Sequence, residues 1–195
     1  INHALYKSGL FLTAGSIERQ TGTDELEKIG GLSRKMPVTF ACAIVFALAI
    51  SGVPPFNGFA SKWIIYQAII DFGQGTTLAS KLWILWLGLA VLGSALTLAS
   101  FIKFISGAFL GRIKANLREV EEIPVLMWLP LVLLASACIA FGIFIGAFVV
   151  PHLLTPMVGS FEFIGVWDSA TIAVLIIVSI LAGILLYLLT DIKNY

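Results

Sequence analysis

Long apolar runs alternate with short polar connectors along this chain, and a ruler of about 20 apolar residues per bilayer crossing divides it into five membrane elements. They are 1–17, which reads as the end of a hydrophobic helix; 37–71, interrupted near Ser51–Gly58; 79–110, with its apolar run from about Leu82 to Phe109; 124–150; and 170–190. The connectors Glu18–Met36, Asp71–Lys81, Gly111–Ile123 and Pro151–Ser169 hold turn formers or charges. The expected fold is therefore an all-α membrane protein, a bundle of about five transmembrane helices of which one is discontinuous. No internal repeat or low-complexity tract stands out. The chain begins with Ile1, within helical pattern, and no basic segment, apolar core and cleavage site precede it, so a missing N-terminal part is expected rather than a signal peptide.

Composition sharpens the class. Of 195 residues 59% are apolar and 12% charged, against roughly 45–50% and 25% in soluble domains, which excludes an ordinary globular protein, a disordered tail and a nucleic-acid binder. The net charge of +1 offers no polybasic surface. The cysteines, Cys42 and Cys138, both lie in apolar runs and read as small core residues. If the spans alternate, Arg19, Lys28, Arg34, Lys35, Arg112, Lys114, Arg118 and Lys193 collect on one face, against Lys81 on the other. Positive charge stays inside, so the lysine- and arginine-rich face is expected to be cytoplasmic.

Three lysines, Lys7, Lys62 and Lys103, fall inside spans, where each costs roughly 2.5–3.5 kcal/mol on insertion scales. All eleven acids sit in connectors or at span ends. Lys62 follows the stretch Ser51-Gly52-Val53-Pro54-Pro55-Phe56-Asn57-Gly58, in which Gly52, Pro54, Pro55, Asn57 and Gly58 mark a helix break: the prolines remove two amide donors and the glycines allow unusual backbone angles. Val38–Ile50 and Phe59–Ile70 are each about a dozen residues, too short to cross alone, so two half-helices together make one crossing. Broken helices with polar groups at the break are how transporters build sites near the midplane. The alternative is a proline kink beside an interfacial lysine, against which Asn57 and Ser61 stand as further polar neighbours in the run.

His3 and Lys7 are four residues apart, one turn along one helical face. Imidazole titrates near neutrality, so the pair suits a proton relay on a hydrated path; packing and snorkelling are the alternatives. Lys103 lies in the cytoplasmic third of its span, where function and snorkelling are equally open. Ser94, Thr97 and Ser100 follow at spacings of three, either wetting a face or letting helices approach closely. Gly142 and Gly146 form a GxxxG that reads as helix packing. Glu18–Met36, with both signs of charge, reads as a solvated connector, and His152 as a loop residue. There is no phosphate-binding glycine loop, no iron–sulfur cysteine set and no histidine cluster for a metal, so redox or hydrolytic chemistry is not expected of this segment alone.

The segments His3–Ile17, Gly30–Pro37 and Ser51–Lys62 together resemble antiporter-like subunits, the membrane family shared by respiratory complex I, the Mrp sodium/proton antiporters and the membrane-bound hydrogenases. Ser94–Gly111 is a weaker match. The resemblance implies the C-terminal half of a subunit of about fourteen helices, built from two inverted repeats that each hold a broken helix and a key charged residue. By that resemblance Lys62 is the charged residue of the second broken helix, facing the outer half-channel, and His3 and Lys7 belong to the central hydrophilic axis. Some members carry glutamate at the Lys62 position. The first broken helix, with its lysine and glutamate, has no counterpart here, and 170–190 reads as an addition to the shared core.

The expected function is proton translocation by buried Lys and His groups in a redox-driven, complex I-like or hydrogenase-like assembly. The alternatives are a subunit of a stand-alone Mrp-type sodium/proton antiporter and a non-transporting anchor. The implied partners are the lipid bilayer, other membrane subunits including further antiporter-like ones, and peripheral redox subunits; nucleic acid is not among them. No cofactor is expected in this chain, the flavin, iron–sulfur or nickel–iron centres belonging to partner subunits.

Overall fold

The first helix, α1 (Asn2–Thr21), buries Tyr6, Gly9, Leu10, Thr13, Ser16 and Ile17, a stripe at spacings of three and four that turns one face inward. It stops at Gly22, whose left-handed backbone (φ 71°) lets its amide return to the Glu18 carbonyl at 2.8 Å. The helix thus runs one turn past the expected end at Ile17. α2 (Pro37–Ser51) opens on a proline at a position where an amide would have had no partner. After an irregular stretch at 52–56 the chain resumes as α3 (Asn57–Phe72), then the short α4 (Leu78–Lys81), α5 (Trp83–Phe109) and α6 (Val125–Ile143). A π-helical run, Ile145–Leu154, leads into the short α7 (Thr155–Val158).

This computed structural model describes residues 1–159 apart from 115, 116 and 118, and no strand occurs among them. The expected span at 170–190 lies outside the described residues. α1 packs on α2 and α6, α2 also meets α5, and α3 lies against both α5 and α6. Two helices, α5 and α6, are long and apolar enough to cross a bilayer. α5 has 27 residues, about 40 Å of helix against a hydrocarbon core of about 30 Å. Only Ala108 and Phe109 of α5 are buried, and Ile84, Leu92, Leu96 and Ile102 form an outward apolar surface suited to lipid.

Lipid removes most of the hydrophobic drive between helices, so contact depends on small residues that let backbones approach. Gly9 supplies such a contact on α1: a Cβ there would sit 2.3 Å from Cζ of Phe46, the fully buried aromatic of α2. The inward face of α2 is otherwise small, with Cys42, Ala43, Ala47 and Ala49.

Four expectations need correction. The connector 18–36 is not wholly solvated: Ile29, Leu32 and Met36 are buried, anchored by short 3-10 turns at Leu26–Lys28 and Leu32–Arg34. Apolar residues three and four apart inside a charged loop are what pulls it onto the core. The fourth span is not one regular helix. At Phe144 the carbonyl accepts from both Phe148 (2.8 Å) and Val149 (3.3 Å), and the bonding shifts from α to π. His152 then falls within helical backbone, with Nδ1 3.2 Å from the Phe148 carbonyl and its ring stacked on that of Phe148.

Finally, Gly142 and Gly146 do not act together. A Cβ on Gly142 would come within 1.9 Å of the Pro55 carbonyl oxygen and 2.6 Å of the Phe56 carbonyl carbon, whereas Gly146 has nothing within 4 Å. Gly142 therefore seats α6 on the backbone of the interrupted stretch. Gly142→Ala is expected to lower the thermal midpoint of the assembled full-length protein, at a cost of about 1–3 kcal/mol from overpacking against rigid backbone. Gly146→Ala should leave that midpoint unchanged, and equal effects of the two would remove the contact from this account.

Candidate functional site

α2 ends inside the bundle, and its last carbonyls need partners there. Gly52 adopts a left-handed backbone (φ 77°), its amide donates to the Ala49 carbonyl at 3.0 Å, and the Val53 amide donates to the Leu48 carbonyl at 3.0 Å. This is the Schellman arrangement, which leaves the carbonyls at the very end of the helix over, that of Ser51 among them. Lys62 takes it: the Nζ donates to the Ser51 carbonyl oxygen at 2.9 Å. Lys62 stands in the second turn of α3, and side chains on a helix lean toward its N-terminus, which aims the lysine back across the break.

The glycines make this reach feasible. A Cβ at Gly52 would lie 2.5 Å from Lys62 Cδ and 3.3 Å from its Nζ, so Gly52 supplies both the left-handed turn and the channel for the lysine stem. A Cβ at Gly58 would lie 1.7 Å from the Ala49 carbonyl oxygen, so the first turn of α3 presses on the last turn of α2. The ammonium thereby sits at the negative end of the α2 dipole, a placement worth about 0.3–2 kcal/mol according to burial.

The opposite end of α2 is held by a residue the sequence did not single out. Glu122 accepts from the Val38 amide (2.7 Å) and the Thr39 amide (3.2 Å) through Oε2, and from the Thr39 hydroxyl (2.6 Å) through Oε1. A carboxylate thus caps the positive end of the half-helix and an ammonium its negative end. No local signal could have paired Glu122 with residues more than 80 positions away.

Polar groups surround the start of α3. Asn2 Nδ2 donates to the Asn57 carbonyl at 3.1 Å and to the Ser61 hydroxyl at 2.7 Å, tying α1 to the first turns of α3. Asn57 is fully buried, and its Nδ2 donates to Asn2 Oδ1 at 3.3 Å. One turn beyond Lys62, the Tyr66 hydroxyl meets the Ser94 hydroxyl of α5 at 2.6 Å. Spacing of four from Lys62 was the available signal for Tyr66. Asn57 Oδ1, Trp63 Nε1 and Gln67 Nε2 are buried without a hydrogen-bond partner among the described residues.

None of the remaining candidates hydrogen-bonds to Lys62 among the described residues. On α1, His3 Nδ1 lies 3.4 Å from the Tyr6 hydroxyl, and Lys7 Nζ lies 5.3 Å from the Phe11 ring centroid, a cation–π contact one turn on. The two share a helical face, but their contacts go to different aromatic residues. Lys103 is exposed on α5. Of the serine and threonine row, only Ser94 reaches another helix; Thr97 and Ser100 bond to carbonyls of their own helix at 2.8 and 2.9 Å.

Residues 1–97 match the family described as NADH:quinone oxidoreductase/Mrp antiporter, transmembrane. The Na(+)/H(+) antiporter subunit A1 of Staphylococcus haemolyticus (strain JCSC1435) is 36% identical over 149 residues, which are 75% of this chain and 19% of that protein. The subunit A1 of Staphylococcus aureus (strain Newman) gives the same figures, 36% over 149 residues, 75% and 19%. The chain thus spans about a fifth of the length of the curated relatives it matches. Among solved structures, a chain of the membrane-bound sulfane sulfur reductase, an archaeal respiratory membrane complex, is similar with a TM-score of 0.74 and 26% identity, over 97% of this chain and 31% of that one. A chain of the Mrp complex from Dietzia sp. DQ12-45-1b shares the fold, with a TM-score of 0.61 and 23% identity over 72% of this chain and 33% of that one.

Removing the Glu122 carboxylate should fray the start of α2. Glu122→Ala is expected to cost about 0.5–2 kcal/mol, the range for a lost helix N-cap, and to speed amide hydrogen exchange at Val38 and Thr39 in the full-length protein. Unchanged protection of those two amides would show that the carboxylate is not their cap.

Proposed function

Because residues 1–97 belong to the antiporter-like membrane-subunit family, we propose that this chain is part of an ion-translocating subunit in which Lys62 carries the proton. The observation that carries the reading is the Lys62 ammonium on the Ser51 carbonyl, across the break between two half-helices. The link has a charge-assisted component that exists only while the lysine is protonated. Loading and release of the proton would therefore strengthen and weaken the hold of α3 on the end of α2. The amine stays beside the break, and its proton is exchanged through water.

Two features support a wet path. Unpaired buried polar atoms cost several kcal/mol each in hydrocarbon, so Asn57 Oδ1, Trp63 Nε1 and Gln67 Nε2 favour hydration along α3. The Asn2, Asn57 and Ser61 hydrogen bonds join the beginning of α3 to the end of α1 that bears His3 and Lys7. In this proposal His3 and Lys7 pass protons along the central axis toward Lys62, and Lys103 serves as an auxiliary cation near the lysine- and arginine-rich side.

For the parent assembly we propose a redox-driven complex in a prokaryotic cytoplasmic membrane. Further antiporter-like subunits would lie beside it, and peripheral partners would hold the flavin, iron–sulfur or nickel–iron centres. The likeness to a chain of an archaeal respiratory complex over 97% of this chain supports that reading. A stand-alone sodium/proton antiporter is the second reading, supported by the 36% identity to Na(+)/H(+) antiporter subunits A1. Electron transfer should drive proton uptake into vesicles bearing the whole complex in the first case, and an imposed sodium gradient should do so in the second.

Proton uptake by the Lys62→Ala complex should fall about a hundredfold or more, in keeping with loss of a group that handles the proton itself. Lys62→Arg retains a cation able to cap Ser51 but does not release its proton. It should assemble normally and pump no better than Lys62→Ala. Pumping at the wild-type rate by either variant would sink the role assigned to Lys62.

A further inference from the structure

Two unlike surfaces meet at Leu110. One is a cavity of about 520 Å³ lined by Ser33, Arg34, Lys35, Arg112 and the backbone at Gly31 and Gly111. The other is an apolar groove between α2 and α5, with Ala47 and Leu48 on one wall and Leu98, Phe101 and Ile105 on the other. Leu110 lines both. We propose that together they bind one anionic phospholipid from the leaflet on the lysine- and arginine-rich side, its phosphate headgroup in the cavity and one acyl chain in the groove.

Charge favours that occupant. Three cations face the cavity and no acid lines it. None of the three forms an ion pair among the described residues, where the recorded pair is Lys28 with Glu25. Basic pockets between membrane helices at the interface suit anionic headgroups, each nearby cation adding about 1 kcal/mol.

The cavity is also held in shape. The Gly31 amide donates to the Leu110 carbonyl at 2.9 Å, and a Cβ on Gly31 would fall 2.4 Å from the Ile113 nitrogen. The two loops bearing the cations therefore touch backbone to backbone, and Arg34 and Lys35 are kept facing the same space as Arg112.

Depth accounts for the tail. Leu98 to Leu110 covers about 18 Å at 1.5 Å per helical residue, comparable to one leaflet of a hydrocarbon core about 30 Å thick. The hydroxyl of Ser106, the polar side chain of the groove, is tied to the Lys103 carbonyl at 3.1 Å. A free phosphate would occupy the cavity and leave the groove bare, whereas a phospholipid matches both.

The test follows phosphatidylglycerol retained by the whole complex after exchange into phosphatidylcholine, measured by mass spectrometry. Arg34→Gln/Lys35→Gln/Arg112→Gln should lower retention about tenfold or more, given three lost cations. Leu98→Trp, which fills the groove and leaves the cations in place, should lower it as well. Lys28→Gln/Lys114→Gln, on the same side but away from the cavity, should not. Retention unaffected by the triple variant, equal loss in the Lys28/Lys114 control, or displacement by inorganic phosphate would each overturn the proposal. If the variants fail to assemble, a photoactivatable phosphatidylglycerol applied to the wild-type complex decides. Label on 33–35 or 98–112 supports the site, and its absence there, or crosslinking of a probe at 98 to protein instead, overturns it.

Discussion

A helix that stops inside a membrane protein leaves carbonyl groups that the helix itself cannot satisfy, and the structure is organised around how those of α2 are answered. Gly52 turns the chain so that the backbone satisfies two of them, and Lys62 returns from the next half-helix to satisfy the Ser51 carbonyl. The same lysine is the candidate proton carrier. Its charge is placed where the end of a helix dipole and an unpaired acceptor both favour it. At the other end Glu122 accepts two amides and a hydroxyl of α2. The half-helix is thus an electrostatically capped rod, negative group at its positive end and positive group at its negative end. Any change in the charge of Lys62 is therefore felt by the end of α2.

Close backbone contact makes the break rigid enough to hold such a geometry. Gly58 rests on the Ala49 carbonyl, Gly142 of α6 rests on the Pro55 carbonyl, and Gly52 leaves room for the lysine stem. Hydrophobic attraction contributes little within lipid, so these contacts, with Gly9 under Phe46, set the distances between helices. A glycine that merely bends the chain and a glycine that receives a neighbour look alike in the sequence. Gly142 and Gly146 show the difference: the first meets backbone and the second open space.

Several elements were legible beforehand for simple reasons. Consecutive prolines between glycines can hardly continue a helix, so the interruption at 52–56 was plain from Ser51–Gly58, as was the oddity of a lysine in the apolar run that follows. Boundaries were less legible. α1 runs to Thr21 because Gly22, not the fading of hydrophobicity at Ile17, ends it. Ile29, Leu32 and Met36 were hidden among charges, and the π-helical run after Phe144 leaves no trace in composition. His3 and Lys7 were paired by periodicity, yet the contacts they make are to different aromatic residues, Tyr6 and Phe11.

Taken alone, the sequence determined the medium, the helical class, the place where a helix must break and the cation beside the break. Each of these follows from local cost: apolar length, missing amides, a charge in hydrocarbon. Tertiary structure alone decided what those groups do. That Lys62 caps Ser51, that Glu122 caps Val38 and Thr39, and that Tyr66 meets Ser94 are matters of which acceptors and donors, backbone or side chain, lie within 3.5 Å once the helices pack. Hydrogen bonds are short-ranged and directional, so partners separated by up to 84 positions are chosen by packing rather than by spacing along the chain.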